Sequence, residues 1–349
     1  MSRFQRLLLP ALLVVFAAAG ALHYLDAPDV LAFVFATLAM AGLAWLISVS
    51  TEQVGVHFGP AVTGVLQSTL GNLPEFFIVL FALSAGEVVV AQFSLIGSLF
   101  ANALLVLGLV IMTGATRAGD GVMRFQPRLP NDTATLLLMT AFIIVILGSS
   151  AAVSDRASNN ITTISAVGAV VVLLVYVAWL IPYIRNEQAP EVPVEGPVPP
   201  LGVAIALLAV AGVASAFASD WFVDELTPTV ERFGISKAFA GLVIAAIAGN
   251  AVENATGVVL AYKGKSDLAI SVVKNSVAQI AAFLFPALVL VSFAFAHRLT
   301  FELDPVYVAA IALTAIVVWQ ATGDGEAAFF EGMALVGAYI VLATLTLYE

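Results

Sequence analysis

"QSTLGNLPEFFIVLF" (67–81) and "GNAVENATGVVLAY" (249–262) each set Gly-Asn-x-x-Glu inside an otherwise apolar run. Their reading depends on the solvent around the chain. Of 349 residues, 61% are hydrophobic and only 10% are charged, with a mean hydropathy of +1.06; soluble proteins carry charge on about a quarter of their residues. The chain is therefore expected to be an all-α integral membrane protein, and Glu75 and Glu253 are expected to lie within membrane spans, where a carboxylate costs at least a few kcal/mol.

At roughly 20 apolar residues per span, hydropathy gives eleven segments, near 8–25, 29–50, 57–84, 88–114, 133–150, 161–184, 201–219, 236–262, 267–294, 304–320 and 328–347. The first also fits a secretory signal, because Arg3 and Arg6 precede an apolar run ending in "AAAGA". Basic residues collect on the cytoplasmic side. With the N-terminus inside, eight Lys and Arg fall on inner loops and four on outer ones, which places the C-terminus outside.

The net charge of −10 disfavours nucleic acid as a partner and suits a protein that handles cations within a lipid bilayer. There is no cysteine, and His23, His57 and His297 are far apart in sequence, so a bound metal would have to be held by oxygen. No resident cofactor is expected.

"RNEQAPEVPVEGPVPPLG" (185–202) is a Pro- and Glu-rich linker that favours extended chain. It divides the sequence into an extra N-terminal helix (1–27), a first half (28–184), the linker proper (185–200) and a second half (201–349). A shift of 178 residues, the separation of Glu75 from Glu253, lays the halves on each other without gaps over 71–103. Gly71 meets Gly249, Asn72 meets Asn250, Gly86 meets Gly264 and Ser98 meets Ser276. The first copy begins in a span entering from inside and the second in one entering from outside, so two inverted five-helix repeats are expected. Inverted repeats with interrupted helices are an architecture of secondary transporters, with the substrate site near mid-membrane.

Gly and Asn, with Pro74 in the first copy, interrupt each helix and release backbone carbonyls that a cation could use. Asn72 with Glu75, and Asn250 with Glu253, lie three residues apart on one helix face. Carboxylates, amide oxygens and carbonyls form a hard, oxygen-rich set of the kind Ca²⁺ takes. Ser98 and Asn102 share a face of the fourth segment, and Ser276 and Gln279 a face of the ninth, and would complete the shell. The competing reading of these polar residues is hydrogen bonding between helices with no ion.

"GVLQSTLGNLPEFFIVLFALSAG", "SLIGSLFANALLVLG", "GNAVENATGVVLAYKGKSDLAISV" and "GDGEAAFFEGMALVGAYI" resemble the cation/proton exchangers, the Ca²⁺/H⁺ antiporter family of the calcium/cation antiporter superfamily, from about Glu52 to Tyr339. The resemblance implies eleven helices and gives Ca²⁺ binding to Glu75 and Glu253. The Asn of each motif, where sodium-coupled relatives carry Thr-Ser, favours proton coupling. Three departures stand out. Asn254 replaces a usual histidine, Asn275 and Val277 replace Gly and Ser in the ninth segment, and the linker lacks a long acidic helix.

Two further charges fall in or beside spans. Lys274 lies about 10 Å into the ninth segment at ~1.5 Å per residue. It either snorkels to the inner surface or modulates the site, its ammonium standing where relatives would bind a second cation or pairing with Glu253. Glu331 reads as a boundary residue of the last span, with a modulating role as the alternative; Asn275 is a further candidate modulator.

The expected function is exchange of Ca²⁺ for H⁺ at shared carboxylates. Burial disfavours a charged carboxylate and a divalent cation favours it, so the two ligands exclude one another. Glu75 and Glu253 would couple the protons. Mn²⁺ as cargo and Na⁺ as counter-ion stay open, a passive channel is the remote alternative, and no motif supports an enzyme. The compact length fits a multi-pass protein of a prokaryotic plasma membrane.

Overall fold

The computed structural model describes residues 3–25, 27–58, 66, 70–185 and 199–349, without the side chains of 3–7, 129, 184, 185, 252 and 253. Most of the linker, the first part of the expected third span and the side chain of Glu253 lie outside the described residues.

The architecture is a helical bundle, as bilayer solvent requires of a chain that must satisfy its backbone internally. In chain order the helices are α1 (Arg3–Tyr24), α2 (Asp29–Gly55), α3 (Leu73–Ser84), α4 (Val88–Ala118), α5 (Arg128–Val153), α6 (Ile161–Arg185), α7 (Leu201–Phe233), α8 (237–262), α9 (Ser266–Ala294), α10 (Pro305–Thr322) and α11 (Phe329–Leu347). A two-stranded antiparallel ribbon pairs β1 (Val122–Arg124) with β2 (Glu326–Ala328), Met123 opposite Ala327. Among the described residues eight helices are long and apolar enough to span, or nine with α8, whose parts Lys237–Ala251 and Asn254–Tyr262 differ in axis by 61°. The apolar stretch Leu8–Tyr24 of α1 and the whole of α3 are shorter. The expected eleven segments thus fall on helices of unequal reach.

The 178-residue shift recurs in the backbone. α2 ends at Gly55 and α7 at Phe233; α3 ends at Ser84 and α8 at Tyr262; α4 starts at Val88 and α9 at Ser266. Gly86 and Gly264 both turn the chain with positive φ, 80° and 76°, a conformation that favours glycine. A π-helical segment interrupts α4 at Ala101–Val106 and α9 at Ile280–Leu284.

α4 and α9 form the centre. The most apolar window of α4 is 83% buried and that of α9 67%, against 22% to 50% in the other six full spans, whose exposed apolar sides suit lipid. Small residues allow the close contacts typical of membrane bundles. A Cβ on Gly108 of α4 or on Gly332 of α11 would meet the other's carbonyl oxygen at 2.6 Å. The extra helix α1 packs on α2 and α7, with Leu12 over Gly42 and Trp221 over Gly20.

Candidate cation site

A turn at Gly71-Asn72 precedes α3, which starts inside the bundle. Asn72 stands at its N-cap position, Pro74 occupies the first turn where its missing N–H is harmless, and Glu75 lies in the same turn. The helix N-terminus there favours an anionic side chain. Glu75 is 1% exposed and Asn72 2%.

Three helices converge on this carboxylate. Ser98 of α4 donates its hydroxyl to Glu75 Oε1 at 3.0 Å. Asn250 of α8 donates Nδ2 to Ser98 Oγ at 2.9 Å and to the Ala246 carbonyl at 3.0 Å. Asn102 donates Nδ2 to Asn250 Oδ1 at 3.1 Å and to the Ser98 carbonyl at 3.0 Å. The chain of polar groups therefore runs Asn102, Asn250, Ser98, Glu75, and joins the two halves of the sequence. Asn102 sits in the π segment of α4, an irregularity frequent at functional sites. Its Oδ1 is buried and takes no hydrogen bond among the described residues, which leaves an oxygen for a cation.

Gly249 has a role the sequence did not disclose. A Cβ there would stand 2.9 Å from Glu75 Cγ and 3.4 Å from Oε1, so the glutamate lies directly against the α8 backbone. Asn254, read from sequence only as a lost histidine, also holds a buried Oδ1 with no partner among the described residues.

Ser276 and Gln279 of α9 are 3% and 5% exposed, just before the second π segment. The hydrogen bonds described above tie together Glu75, Ser98, Asn102 and Asn250, and include neither of these two. Among the described residues no three His, Cys, Asp or Glu side chains cluster as a metal site, so cation binding here would draw on amide, hydroxyl and carboxylate oxygens together.

A model of the sodium/calcium exchanger protein family matches residues 29–182 and 203–348. The chain belongs to that family. It is 32% identical over 326 residues to the "Vacuolar calcium ion transporter" of Schizosaccharomyces pombe, covering 90% of this chain and 79% of that one. It is 30% identical over 354 residues to the "Ca(2+)/H(+) antiporter" of Synechocystis sp., covering 95% of each. In structure it is similar to native YfkE, with a TM-score of 0.80, 27% identity and coverage of 97% of this chain and 100% of that one. The fold is shared with the H⁺/Ca²⁺ exchanger CAX, at a TM-score of 0.75 and 15% identity over 99% and 93% of the two chains.

The hydrogen bonds described for the three candidate modulators of this exchanger-family chain go to residues other than Glu75. Lys274 does not snorkel. It is 1% exposed, and Nζ donates to Thr322 Oγ1 at 3.3 Å, at the C-terminal end of α10, where the helix dipole favours a cation. Thr322 gives its own proton to the Val318 carbonyl at 2.7 Å, which leaves its oxygen to accept. Asn275 turns toward α6, with Nδ2 3.5 Å from Tyr183 OH; the roughly 100° step per helical residue that points Ser276 elsewhere requires this. Glu331 accepts the Ala328 N–H at 2.7 Å and so caps its own helix α11, as a boundary residue does.

Proposed function

We propose that the protein is a secondary active transporter that exchanges Ca²⁺ for H⁺ by alternating access, with Glu75 and Glu253 shared between the cation and protons. The observation that carries this reading is Glu75 itself: a fully buried carboxylate, in a transmembrane bundle, joined by Ser98 to Asn250 from the other half of the sequence. A charge in that position has a functional explanation more readily than a structural one. Relatives named as Ca²⁺/H⁺ antiporters support it.

Each half contributes one Gly-Asn-x-x-Glu motif, and the halves cross the membrane in opposite senses. The amide and hydroxyl oxygens of Asn72, Asn102, Asn250, Ser98, Ser276 and Gln279 complete the ligand set around the two carboxylates. Ca²⁺ neutralises both glutamates, protons do the same when it leaves, and the bundle rocks between its two openings only when the site is neutral. The N-terminus lies inside, the C-terminus outside, and the membrane is that of a prokaryotic cell.

The family's own description raises sodium as the counter-ion, and the fold resembles the sodium-calcium exchanger NCX_Mj, at a TM-score of 0.59 and 18% identity. A single titration separates the two. Adding Ca²⁺ to the purified protein in weakly buffered detergent should release protons in proportion to binding, and Ca²⁺ affinity should fall as pH falls. Binding without proton release, displaced by Na⁺ instead, would overturn the proton-coupled reading.

A further inference from the structure

Above the site, α4 and α8 run side by side from one end of the bundle. Glu87 immediately precedes α4, and Lys237 opens α8. The Lys237 ammonium reaches both carboxylate oxygens of Glu87, at 2.8 and 2.7 Å, and so ties the first half of the chain to the second. Both side chains are partly exposed, which places the pair at the mouth of the interface.

Beneath the pair the two helices close backbone to backbone. A Cβ on Gly241 would lie 2.8 Å from Phe93 Cβ and 3.0 Å from the Ser94 amide nitrogen; one on Gly97 would run into the Leu242 backbone. This contact stands directly before Ser98 in α4, between that end of the bundle and the site. Ser94 is sealed within it, fully buried, and its hydroxyl has no hydrogen-bond partner among the described residues. A polar group so placed is costly when dry and is satisfied when water enters.

The 178-residue repeat supplies a second, independent argument. It carries Glu87 onto Lys265 and Lys237 onto Gly59. A lysine and a glycine form no ion pair, so the repeat does not reproduce the Glu87–Lys237 pair at the symmetry-related positions of the sequence.

We propose that Glu87 and Lys237 are the positioning residues of a one-sided lock, holding this mouth of the cation pathway closed and biasing the exchanger toward opening at the opposite end. In the orientation proposed above the locked mouth faces outside. The inference rests on the alternating-access reading and adds to it an asymmetry between the two openings.

The chain contains no native cysteine, so one reporter can be introduced cleanly. Ser94→Cys is labelled with a water-soluble maleimide in detergent, where sidedness plays no part. The probe should react slowly in the otherwise native chain and several-fold faster with Glu87→Gln or Lys237→Met, the scale of a partly exposed ion pair. The charge exchange Glu87→Lys with Lys237→Glu should bring the rate back down. The proposal is overturned if both single variants label at the native rate while melting at lower temperature, which would make the pair a structural tether. It is also overturned if the exchanged pair labels as fast as the singles. Ca²⁺ uptake by the unlabelled native chain, run in parallel, keeps the two claims apart: its absence counts against exchange, whereas unchanged labelling with uptake intact counts against the lock alone.

Discussion

Glu75 rests on the bare backbone of Gly249: a methyl group at that glycine would stand 2.9 Å from Glu75 Cγ. The first glycine of the second motif thus seats the glutamate of the first. Gly249→Ala should push the carboxylate off its contact with Ser98, at an overpacking cost of about 1–3 kcal/mol. The expected result is a folded protein with Ca²⁺ affinity lowered about tenfold or more, measured by calorimetry in detergent. Native affinity in Gly249→Ala would show that Glu75 does not need this seat.

Ser98 is the hinge of the polar chain, donating to Glu75 and accepting from Asn250. Ser98→Ala removes both bonds and leaves buried partners short of one interaction each, a loss of about 1–3 kcal/mol. Ca²⁺ binding should weaken about tenfold, while Ser98→Thr, which keeps the hydroxyl, should retain more affinity than Ser98→Ala. Equal affinity in the two variants would remove the hydroxyl from the site.

Lys274 tests what an intramembrane ammonium does when it has one hydroxyl acceptor among the described residues. Replacing a buried charge with an apolar side chain of similar volume is often neutral or stabilising. Lys274→Met should therefore melt at or above the native temperature in a thermal-shift assay. A fall of several degrees would mean that Lys274 holds a carboxylate partner, with Glu253 the first to examine by a double-mutant cycle.

Asp155, in the turn between α5 and α6 outside the spans, accepts from the Ser150 hydroxyl and from the Ala157 and Ser158 amides, which hold its carboxyl below the ordinary 3.8. A carboxylate lowered in the folded state stabilises above its unfolded value and loses that contribution as pH falls through the folded one. Protection of the Ala157 and Ser158 amides, taken relative to the intrinsic exchange rate at each pH, should be lost in that acid range, below the ordinary value, and Asp155→Ala should show the lower protection already at neutral pH. Protection that is independent of pH would exclude the turn as the cause.

The membrane fold was legible because hydropathy depends only on composition along the chain, and the repeat because a gapless shift carries motifs and helix ends together. Residue spacing placed Ser98 and Asn102 on one face. It could not say which face would meet which, and that is why the Asn102–Asn250 contact and the Gly249 seat emerge only in three dimensions. Of the two readings of Lys274 the sequence could not choose, because a depth along one helix says nothing of the neighbour, here the end of α10, that accepts the ammonium. Spacing from Gln279 left Asn275 and Ser276 as alternatives, and the contact of Asn275 with Tyr183 is visible only once α6 is placed beside α9. The Glu87–Lys237 pair had a readable signal, opposite charges at the same end of neighbouring spans, but the pairing of α4 with α8 was needed to see it. The interruption before α3 was legible too, because Gly71, Asn72 and Pro74 are residues that break a helix.

The most direct test of the central claim is ⁴⁵Ca²⁺ uptake into sealed, sodium-free liposomes under an imposed pH gradient, for the native chain, Glu75→Gln and Glu253→Gln. The account predicts uptake that depends on the gradient in the native protein and is abolished in both variants. Gradient-driven uptake that survives either substitution would contradict a cation site shared by the two carboxylates.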